Sequence, residues 1–438
     1  MPKITFIGAG STVFAKNVLG DCMLTPSLSE SEIALYDIDA TRLKESKDML
    51  EAMNKKINGG KAKIESYCGV EKRKDAIKNA DFIVIAIQVG GYEPCTITDF
   101  EIPKKYGIRQ TIADTLGIGG IFRTLRTLPV FEEIARDIEE YAPNSWLLNY
   151  VNPMAMITGF MLRYTGVKTV GLCHSVQVCS KELFENLGME DKIEGRKDFI
   201  AGINHMAWLL DIRDKNGNDL YPEIKKRVEA KTEKHKDMVR FEYIKKLGYY
   251  CTESSEHNAE YNPFFIKSKY PELIDKFNIP LDEYPRRCVK QIEDWKRDSQ
   301  HLLDGDFLDH KRSREYGSFI MNSILTNEPY KIGGNVINNG LIDNLVKDAC
   351  VEVPCLVDSN GIQPTHVGSL PPQLAAMNMT NINPQLLTIE AHVTKKLEHI
   401  YHAAMLDPHT AAELSIDDII SLCNDLIKAH GNWLPKYK

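Results

Sequence analysis

The sequence lacks the features that mark membrane proteins, nucleic-acid binders and repeat proteins. Hydrophobic residues make up 43% of the 438 residues, yet no apolar run reaches about 20 residues, so we expect no membrane-spanning helix. The 54 basic residues are outnumbered by 61 acidic ones, and the net charge of −7 argues against a nucleic-acid partner. No internal repeat or low-complexity segment occurs. These absences leave a globular protein of ordinary composition.

The sequence also lacks the marks of an exported protein. The N-terminus leads directly into the apolar segment Ile4–Gly10, and no signal peptide precedes it. The ten cysteines have no short, repeated spacing, so we expect most of them to be reduced and buried. The sequence therefore predicts a cytoplasmic protein.

The length of the chain and the order of its elements predict two domains. Strand and helix patterns alternate in the first half, which predicts an α/β fold with a Rossmann-like, doubly wound parallel sheet. We assign residues 1–195 to this dinucleotide-binding domain. The predicted strands of this domain are Ile4–Gly10, Glu32–Asp37, Asp81–Ile87, Ile108–Ala113, Ser145–Asn149 and Thr169–Cys173.

The second half of the chain has a different pattern of predicted elements, with hairpin strands and long charged helices. We assign residues 196–438 to a mixed α+β domain that binds substrate and mediates oligomerisation. Its predicted strands are Phe199–Ile203, Met206–Ile212, Asn335–Asn338 and Val351–Val357. Its predicted helices are Glu223–Leu247, Tyr284–Leu303, Pro384–Met405 and Ala411–His430.

A glycine turn after the first strand predicts a dinucleotide site. Gly8 and Gly10 separate this strand from a helix, so that backbone can approach a pyrophosphate at the helix N-terminus. Ser11 and Thr12 add hydroxyl groups that can bind the ligand or cap the helix. Val13 replaces the third glycine of the usual motif, which predicts a wider contact between helix and sheet. A glycine turn without a ligand is the alternative interpretation.

Two polar residues at later strand ends extend the predicted cofactor site. Asp37 ends the second strand, where a carboxylate can hold the ribose hydroxyls and favour NAD over NADP. Asn149 ends another strand, and we assign it to the nicotinamide ribose. The segment 79–86 is similar to the corresponding strand of lactate and malate dehydrogenases, which favours the same interpretation.

Two further strand ends predict a metal site. Cys173 follows one predicted strand and His205 follows another. A thiolate and an imidazole together form a borderline-soft metal site that leaves positions open for substrate oxygens. The spacing is not that of a zinc finger, so a buried cysteine and a hydrogen-bonded core histidine are the alternative interpretation.

Several other polar residues are candidates for substrate contacts, and each has a purely structural alternative. Asn152 follows a strand end and can bind sugar hydroxyls, and Asp114 opens a glycine-rich loop that can otherwise be a tight connection. Segment 253–261 concentrates titratable groups, as a solvated helix start also does. Arg287 can support the site or belong to an ordinary surface pair.

The whole chain resembles family 4 of the glycoside hydrolases, and within it the NAD- and manganese-dependent α-galactosidases of the melibiase type. The resemblance runs from the segment Ile4–Ser11 to the segment Asn432–Pro435. The four residues Cys173–Val176 match the motif of this subgroup. In relatives that act on 6-phosphorylated sugars, Asp or Asn stands at the position of His174.

The resemblance implies a mechanism without a pair of catalytic carboxylates. NAD⁺ takes a hydride from C3 of the sugar, and a divalent metal, commonly Mn²⁺, polarises the ketone. A base then removes the proton at C2, the leaving group departs from C1, water adds, and the hydride returns. The resemblance implies that Cys173 and His205 hold the metal and that His174 is the general acid. The C2 base is either His257 or Tyr261, and we favour His257.

The resemblance also implies a substrate and an assembly. The expected substrates are terminal α-D-galactosides of the melibiose and raffinose type, and the expected assembly is a homodimer or homotetramer. An α-glucosidase or α-uronidase of the same family is one alternative. A dehydrogenase of the lactate or malate type is another, and it would accumulate NADH with product. A non-catalytic NAD-binding protein is the third.

Overall fold

The computed structural model describes residues 1–304 and 308–438, and within these ranges twelve strands form one sheet. The strands are β1 Lys3–Ile7, β2 Glu32–Asp37, β3 Lys63–Cys68, β4 Phe82–Ile85, β5 Trp146–Asn149, β6 Lys168–Gly171, β7 Lys197–Ile203, β8 Met206–Arg213, β9 Tyr250–Cys251, β10 Tyr330–Ile337, β11 Cys350–Asp358 and β12 Gly361–Pro364. Their order is β3-β2-β1-β4-β5-β6-β10-β11-β7-β8-β9, and β12 pairs with β11.

Helices cover the sheet and form a further layer near the C-terminus. They are α1 Thr12–Met23, α2 Ala40–Asn58, α3 Arg73–Ile77, α4 Ile97–Lys105, α5 Gly117–Tyr141, α6 Met154–Tyr164, α7 His174–Leu187, α8 Tyr221–Ala230, α9 Met238–Leu247, α10 Ser255–Glu260, α11 Glu272–Lys276, α12 Glu283–Asp298, α13 Gly317–Thr326, α14 Pro372–Thr394, α15 Leu397–Leu406, α16 Pro408–Glu413 and α17 Ile416–His430. Within the described ranges, no helix is both long and apolar enough to cross a membrane.

The first six strands confirm the predicted Rossmann-like sheet. Strands β1 to β6 pair in parallel in the order 3-2-1-4-5-6, with a change of direction between β1 and β4. Every residue of β1 and β4 is buried, as expected for parallel strands with helices on both faces. Ligands bind such sheets beyond the carboxyl ends of the strands, at the point where the strand order reverses.

The antiparallel strands continue the same sheet. Strand β10 pairs with β6 through Asn335 and Gly171, and β11 then joins β10 to the hairpin of β7 and β8. One large hydrophobic cluster contains side chains from both halves of the chain, including Ile7 and Val353. The division into residues 1–195 and residues 196–438 stays a prediction.

The strand prediction for Ile108–Ala113 is wrong, because this segment is a loop. The backbone N–H groups of Thr111, Ile112 and Ala113 donate to the buried carboxylate of Glu260 and not to a neighbouring strand. The sequence interpretation also missed β3, whose residues are mostly exposed or half-buried and include charged side chains. An edge strand of this kind has little apolar signature.

The predicted long helices of the second half are each shorter or divided. The chain leaves the helical conformation between α8 and α9, and again at Lys395, which has φ +57° and separates α14 from α15. Ser415 caps α17 by accepting the N–H of Asp418, so the predicted helix Ala411–His430 begins anew there. Helix α12 ends at Asp298, before the predicted end at Leu303.

Candidate active site

The glycine turn after β1 fits a dinucleotide. A Cβ atom on Gly8, which has φ +93°, would lie 2.2 Å from the carbonyl oxygen of Ala86. A Cβ atom on Gly10 would lie 2.8 Å from Oδ2 of Asp37. The position of Gly8 therefore requires glycine, a side chain on Gly10 would displace the Asp37 carboxylate, and the turn leaves backbone close to the start of α1. Ser11 is exposed there, whereas Thr12 is buried and its hydroxyl contacts Ser46 at 2.8 Å.

The two other predicted cofactor residues lie at strand ends in different surroundings. Asp37 is half-buried, and its Oδ2 accepts the N–H of Gly10 at 2.6 Å. Asn149 is fully buried, and its Oδ1 accepts the N–H of Val151 while its Nδ2 donates to Thr158. The side chain of Asn149 thus stabilises its own loop, and its assignment to the cofactor stays a prediction.

Cys173 and His205 lie together with Glu253 in a group that can hold a metal ion. One ligand atom from each of the three side chains lies within 4.8 Å of the other two. Cys173 lies between β6 and α7, and His205 lies in the tight turn between β7 and β8 at φ +64°. A thiolate, an imidazole and a carboxylate suit a borderline divalent cation. The donor set therefore fits the predicted metal.

Burial and neighbouring charges set the protonation of this group. Burial raises the pKa of Cys173 well above its ordinary value, and Glu253 adds to this shift. Burial lowers the pKa of His205, which favours the neutral imidazole that a metal ion binds. Burial alone would raise the pKa of Glu253, but His257, His205 and His174 outweigh it and lower that pKa to about 2. A bound cation would displace the proton of Cys173.

Two buried tyrosines orient the predicted ligands. The hydroxyl of Tyr316 accepts the N–H of Cys173 at 2.9 Å and lies 3.1 Å from its carbonyl oxygen. The hydroxyl of Tyr261 lies 3.2 Å from Nδ1 of His205. This contact leaves Nε2 of His205 facing Glu253, at 3.3 Å from its carboxylate. Hydrogen bonds of this kind fix the tautomer and the orientation of a metal-binding histidine.

We expect Tyr261→Phe to weaken metal binding about tenfold, because His205 loses the partner that orients its ring. Calorimetric titration with Mn²⁺ measures this change. Tyr221→Phe is a matched control, since it removes another buried hydroxyl that donates to Leu209 in a separate part of the protein. Equal metal affinity in both variants would contradict the orienting role of Tyr261.

His257 and Asp114 form the wall next to the metal group. Nδ1 of His257 lies 2.7 Å from the hydroxyl of Ser254, and its Nε2 lies 3.9 Å from Oδ1 of Asp114. The rings of His257 and His205 are 5.2 Å apart. Nδ2 of Asn152 donates to Asp114 at 3.4 Å. The structure therefore brings these three predicted site residues together beside the metal group.

Neighbouring side chains hold the pKa of Asp114 below its ordinary value. Burial would raise the pKa of Asp114, but His257, Arg123 and His205 outweigh it and lower the pKa. The Arg123 guanidinium donates to the carbonyl oxygen of Asn152 at 3.3 Å. This wall therefore carries a carboxylate, a guanidinium and amide groups, which are suitable donors and acceptors for sugar hydroxyls.

Two predicted residues lie at the edge of the site. His174 is exposed at the first position of α7, and it is one of the three histidines that lower the pKa of Glu253 within the metal group. Arg287 forms ion pairs with Glu256 and Glu283. Arg287 therefore contacts the helix that carries His257 and not the metal group itself.

The sequence interpretation missed three residues that shape the site. Glu253 was included only in a titratable segment, and its φ of +64° turns it toward His205. Arg123 lies within the apolar face of α5, outside the segments that the sequence interpretation assigned to the site. Glu260 holds the loop before Asp114 through three backbone N–H groups. A buried charge in an apolar stripe was the available indication for Arg123.

Glu352, in the middle of β11, lies behind the turn that carries His205. Its Oε1 accepts hydrogen bonds from Asn335 at 3.0 Å and from Asn204 at 3.5 Å. Burial raises the pKa of Glu352 to about 7, and these hydrogen bonds oppose the shift. Because the native state holds this proton more tightly than the unfolded chain, the stabilising contribution is full at acidic pH. It is lost as the pH rises through about 7.

We expect Glu352→Gln to remove this loss of stability at alkaline pH. Glutamine keeps the acceptor for Asn335, and its amide can donate to the buried, unpartnered Oδ1 atoms of Asn204 and Asn335. Because burial raises the pKa of Glu352 to about 7, the gain at pH 8.5 should be about 3 kcal/mol at most. Thermal unfolding at pH 5 and pH 8.5 measures it. If the variant and the wild type differ in stability by the same amount at both pH values, the raised pKa assigned to Glu352 is contradicted.

Comparison with known proteins agrees with this geometry over the whole chain. Residues 3–189 match the sequence family "Family 4 glycosyl hydrolase", and residues 200–410 match its C-terminal domain. An α-galactosidase of Bacillus subtilis (strain 168) is 62% identical over 439 residues, covering 100% of both chains. An α-galactosidase of Rhizobium meliloti (strain 1021) is 32% identical, covering 99% of this chain and 89% of that protein.

The fold is similar to that of a solved glucosidase structure. A crystal structure of a 6-phospho-α-glucosidase from gut microorganisms, in complex with NAD and Mn²⁺, has a TM-score of 0.80 and 20% sequence identity, covering 100% of both chains. At this identity the match concerns the fold alone. The sequence matches over both halves and the 62% identity decide the family, and this chain belongs to family 4 of the glycosyl hydrolases.

Proposed function

We propose that this protein is an α-galactosidase that uses NAD and a divalent metal, Mn²⁺ in the first place, to hydrolyse terminal α-D-galactosides. The observation that carries the proposal is the group of Cys173, His205 and Glu253 at the carboxyl edge of the sheet, the edge that also carries a glycine turn that fits a dinucleotide. The 62% identity to an α-galactosidase supports the choice of sugar.

The residues around the site divide into a cofactor side and a metal side. Gly8 and Gly10 would hold the pyrophosphate of the cofactor, and Asp37 the ribose hydroxyls. Cys173 and His205 would hold the metal. When bound, NAD⁺ accepts and returns a hydride, and the cation polarises a sugar oxygen as a Lewis acid.

We assign the removal of the C2 proton to His257. Its Nε2 faces the wall formed with Asp114, and its Nδ1 is held by Ser254. Tyr261, the other candidate, is fully buried, and its hydroxyl is in contact with His205. Histidine is the side chain that most often serves as a general base near neutral pH. His174, exposed at the edge of the site, would donate the proton to the departing oxygen.

Sugar hydroxyls would be bound by the wall opposite the glycine turn. Asp114 and Asn152 offer a carboxylate and an amide, and Arg123 lies directly behind them. Arg287 would act indirectly, through its ion pair with Glu256, the residue before His257. These contacts favour a neutral sugar, since a uronic acid would place its carboxylate near two carboxylates, Asp114 and Glu253.

The substrate class is tested with p-nitrophenyl glycosides of galactose, glucose and galacturonic acid, each with NAD⁺ and Mn²⁺ present. We expect the α-galactoside to be cleaved at least about tenfold faster than the other two. Faster cleavage of the glucoside or uronide would contradict the proposed substrate while leaving the family chemistry intact. Accumulation of NADH in step with product would instead indicate a dehydrogenase.

We also propose a cytoplasmic location and a homodimer or homotetramer. All ten cysteines are free and nine of them are buried, which suits a reducing compartment. Apolar side chains are exposed on the C-terminal helices, among them Leu406 and Ile416, and contact with a second copy of the chain would cover them.

A further inference from the structure

Helix α12 crosses the carboxyl edge of the parallel strands while packing little against the rest of the protein. Of its 16 residues, only Cys288 is buried. Tyr284, Cys288, Ile292 and Trp295 follow one another at intervals of three or four residues and therefore share one face of the helix. Ile292 on this face is 45% exposed. The helix thus presents an incompletely covered apolar face.

The N-terminal end of α12 is attached beside the predicted sugar site. The N–H groups of Asp282 and Tyr284 donate to the carbonyl oxygens of Gln110 and Thr111. The hydroxyl of Tyr284 donates to Gln88, which follows β4, at 3.4 Å. Nη1 of Arg123 lies 3.5 Å from the same hydroxyl. The carboxyl ends of the parallel strands form the floor of a groove that α12 crosses. The N-terminal end of α12 therefore lies on the β4 side of this groove.

The C-terminal half of α12 reaches the opposite side of the groove, where β2 ends. The guanidinium carbon of Arg42 lies 5.8 Å from the centre of the Trp295 ring. Arg42 is in the first turn of α2, and its Cβ lies 3.1 Å from the position of a Cβ on Gly10. Asp37 contacts the same position, and Ile38, directly after it, is 73% exposed. The guanidinium of Arg42, the indole of Trp295 and the exposed side chain of Ile38 thus surround the end of β2.

A dinucleotide in a Rossmann-like sheet places its adenosine half at the acidic end of β2 and its nicotinamide half toward the β4 side. An adenine ring stacks well on an indole and on a guanidinium. Resting on the proposed use of NAD, we propose that Trp295 and Arg42 hold the adenine ring, and that α12 thereby closes the groove over the adenosine half of the cofactor. The second half of the chain then contributes to cofactor binding as well as to substrate binding.

The test is calorimetric titration of the metal-loaded protein with NAD⁺, adenosine monophosphate and nicotinamide mononucleotide. We expect Trp295→Ala to weaken NAD⁺ and adenosine monophosphate about tenfold and to leave nicotinamide mononucleotide unchanged. Trp295→Phe should restore most of the affinity, because it keeps an aromatic face. Trp433→Ala, at another half-exposed tryptophan, is the control and should bind all three ligands as the wild type does.

Arg42→Ala should weaken the same two ligands, and the double variant should lose less than the product of the single losses, since the two side chains act on one ring. Unchanged binding of adenosine monophosphate by Trp295→Ala would overturn the inference. An equal loss for nicotinamide mononucleotide would overturn it too, because the effect would not be confined to the adenosine half. If the wild type binds no NAD⁺, the proposed function itself fails.

Discussion

Cys173→Ser should abolish Mn²⁺ binding at the Mn²⁺ concentrations that saturate the wild type, and hydrolysis should be lost with it. Replacing groups that merely support a metal ligand lowers affinity about 10–100-fold, so loss of the thiolate itself should exceed about 100-fold. The serine hydroxyl is a poor substitute, because it stays protonated and offers the cation no negative charge. Calorimetric titration with Mn²⁺, and p-nitrophenol release over a range of Mn²⁺ concentrations, measure the two effects together.

The control for this prediction is Cys68→Ser, which alters a half-buried cysteine in the edge strand β3. This variant should bind Mn²⁺ and turn over substrate as the wild type does. High Mn²⁺ should restore part of the activity of Cys173→Ser, because His205 and Glu253 remain. Wild-type activity of Cys173→Ser at low Mn²⁺ would refute the assignment of Cys173 as a ligand.

His257→Gln should lower the turnover number about 10²–10⁴-fold, which is the usual contribution of a general base. Glutamine keeps much of the volume and hydrogen bonding of the imidazole but cannot accept the C2 proton. Metal affinity should fall far less than in Cys173→Ser, because His257 is not in the group that contains the thiolate, although it forms a second group of possible ligands with Asp114 and His205. Substrate labelled with deuterium at C2 reports the step directly, since wild-type product formed in ordinary water should lose the label.

Three outcomes of this experiment separate the candidate bases. Slow turnover with intact Mn²⁺ binding supports His257. Undiminished turnover and label loss in His257→Gln would contradict the assignment of His257. A defect in Tyr261→Phe that excess Mn²⁺ restores would show Tyr261 acting on His205 and not on the sugar.

The parallel half of the fold was predictable because its strands are short, apolar and followed by turns. Strand β2, Glu32–Asp37, has the predicted bounds, and the glycine turn after β1 requires glycine for steric reasons that local sequence reflects. The error at Ile108–Ala113 has a long-range cause. Glu260, about 150 residues later, supplies the acceptors that satisfy this segment's backbone N–H groups. No local pattern contains that information.

The site was predictable to the extent that strand ends meet at one edge of a sheet. This rule predicted Cys173 and His205 as a metal pair, since each follows a predicted strand, and the structure brings their side chains together with Glu253. The sequence interpretation did not identify Glu253, because a segment in which an acid stands among other charged residues is also typical of a solvated helix start. Its burial depends on the pairing of β8 with β9 and on its own left-handed backbone, which a single sequence does not reveal.

The most direct test of the central claim is one cuvette assay on protein stripped of nucleotide and metal. Release of p-nitrophenol from p-nitrophenyl α-D-galactoside and absorbance of NADH are followed together, before and after addition of NAD⁺ and Mn²⁺. We predict that hydrolysis requires both additions and that NADH never exceeds the amount of enzyme. Full activity of the stripped protein, or one NADH formed for each product, would contradict the account.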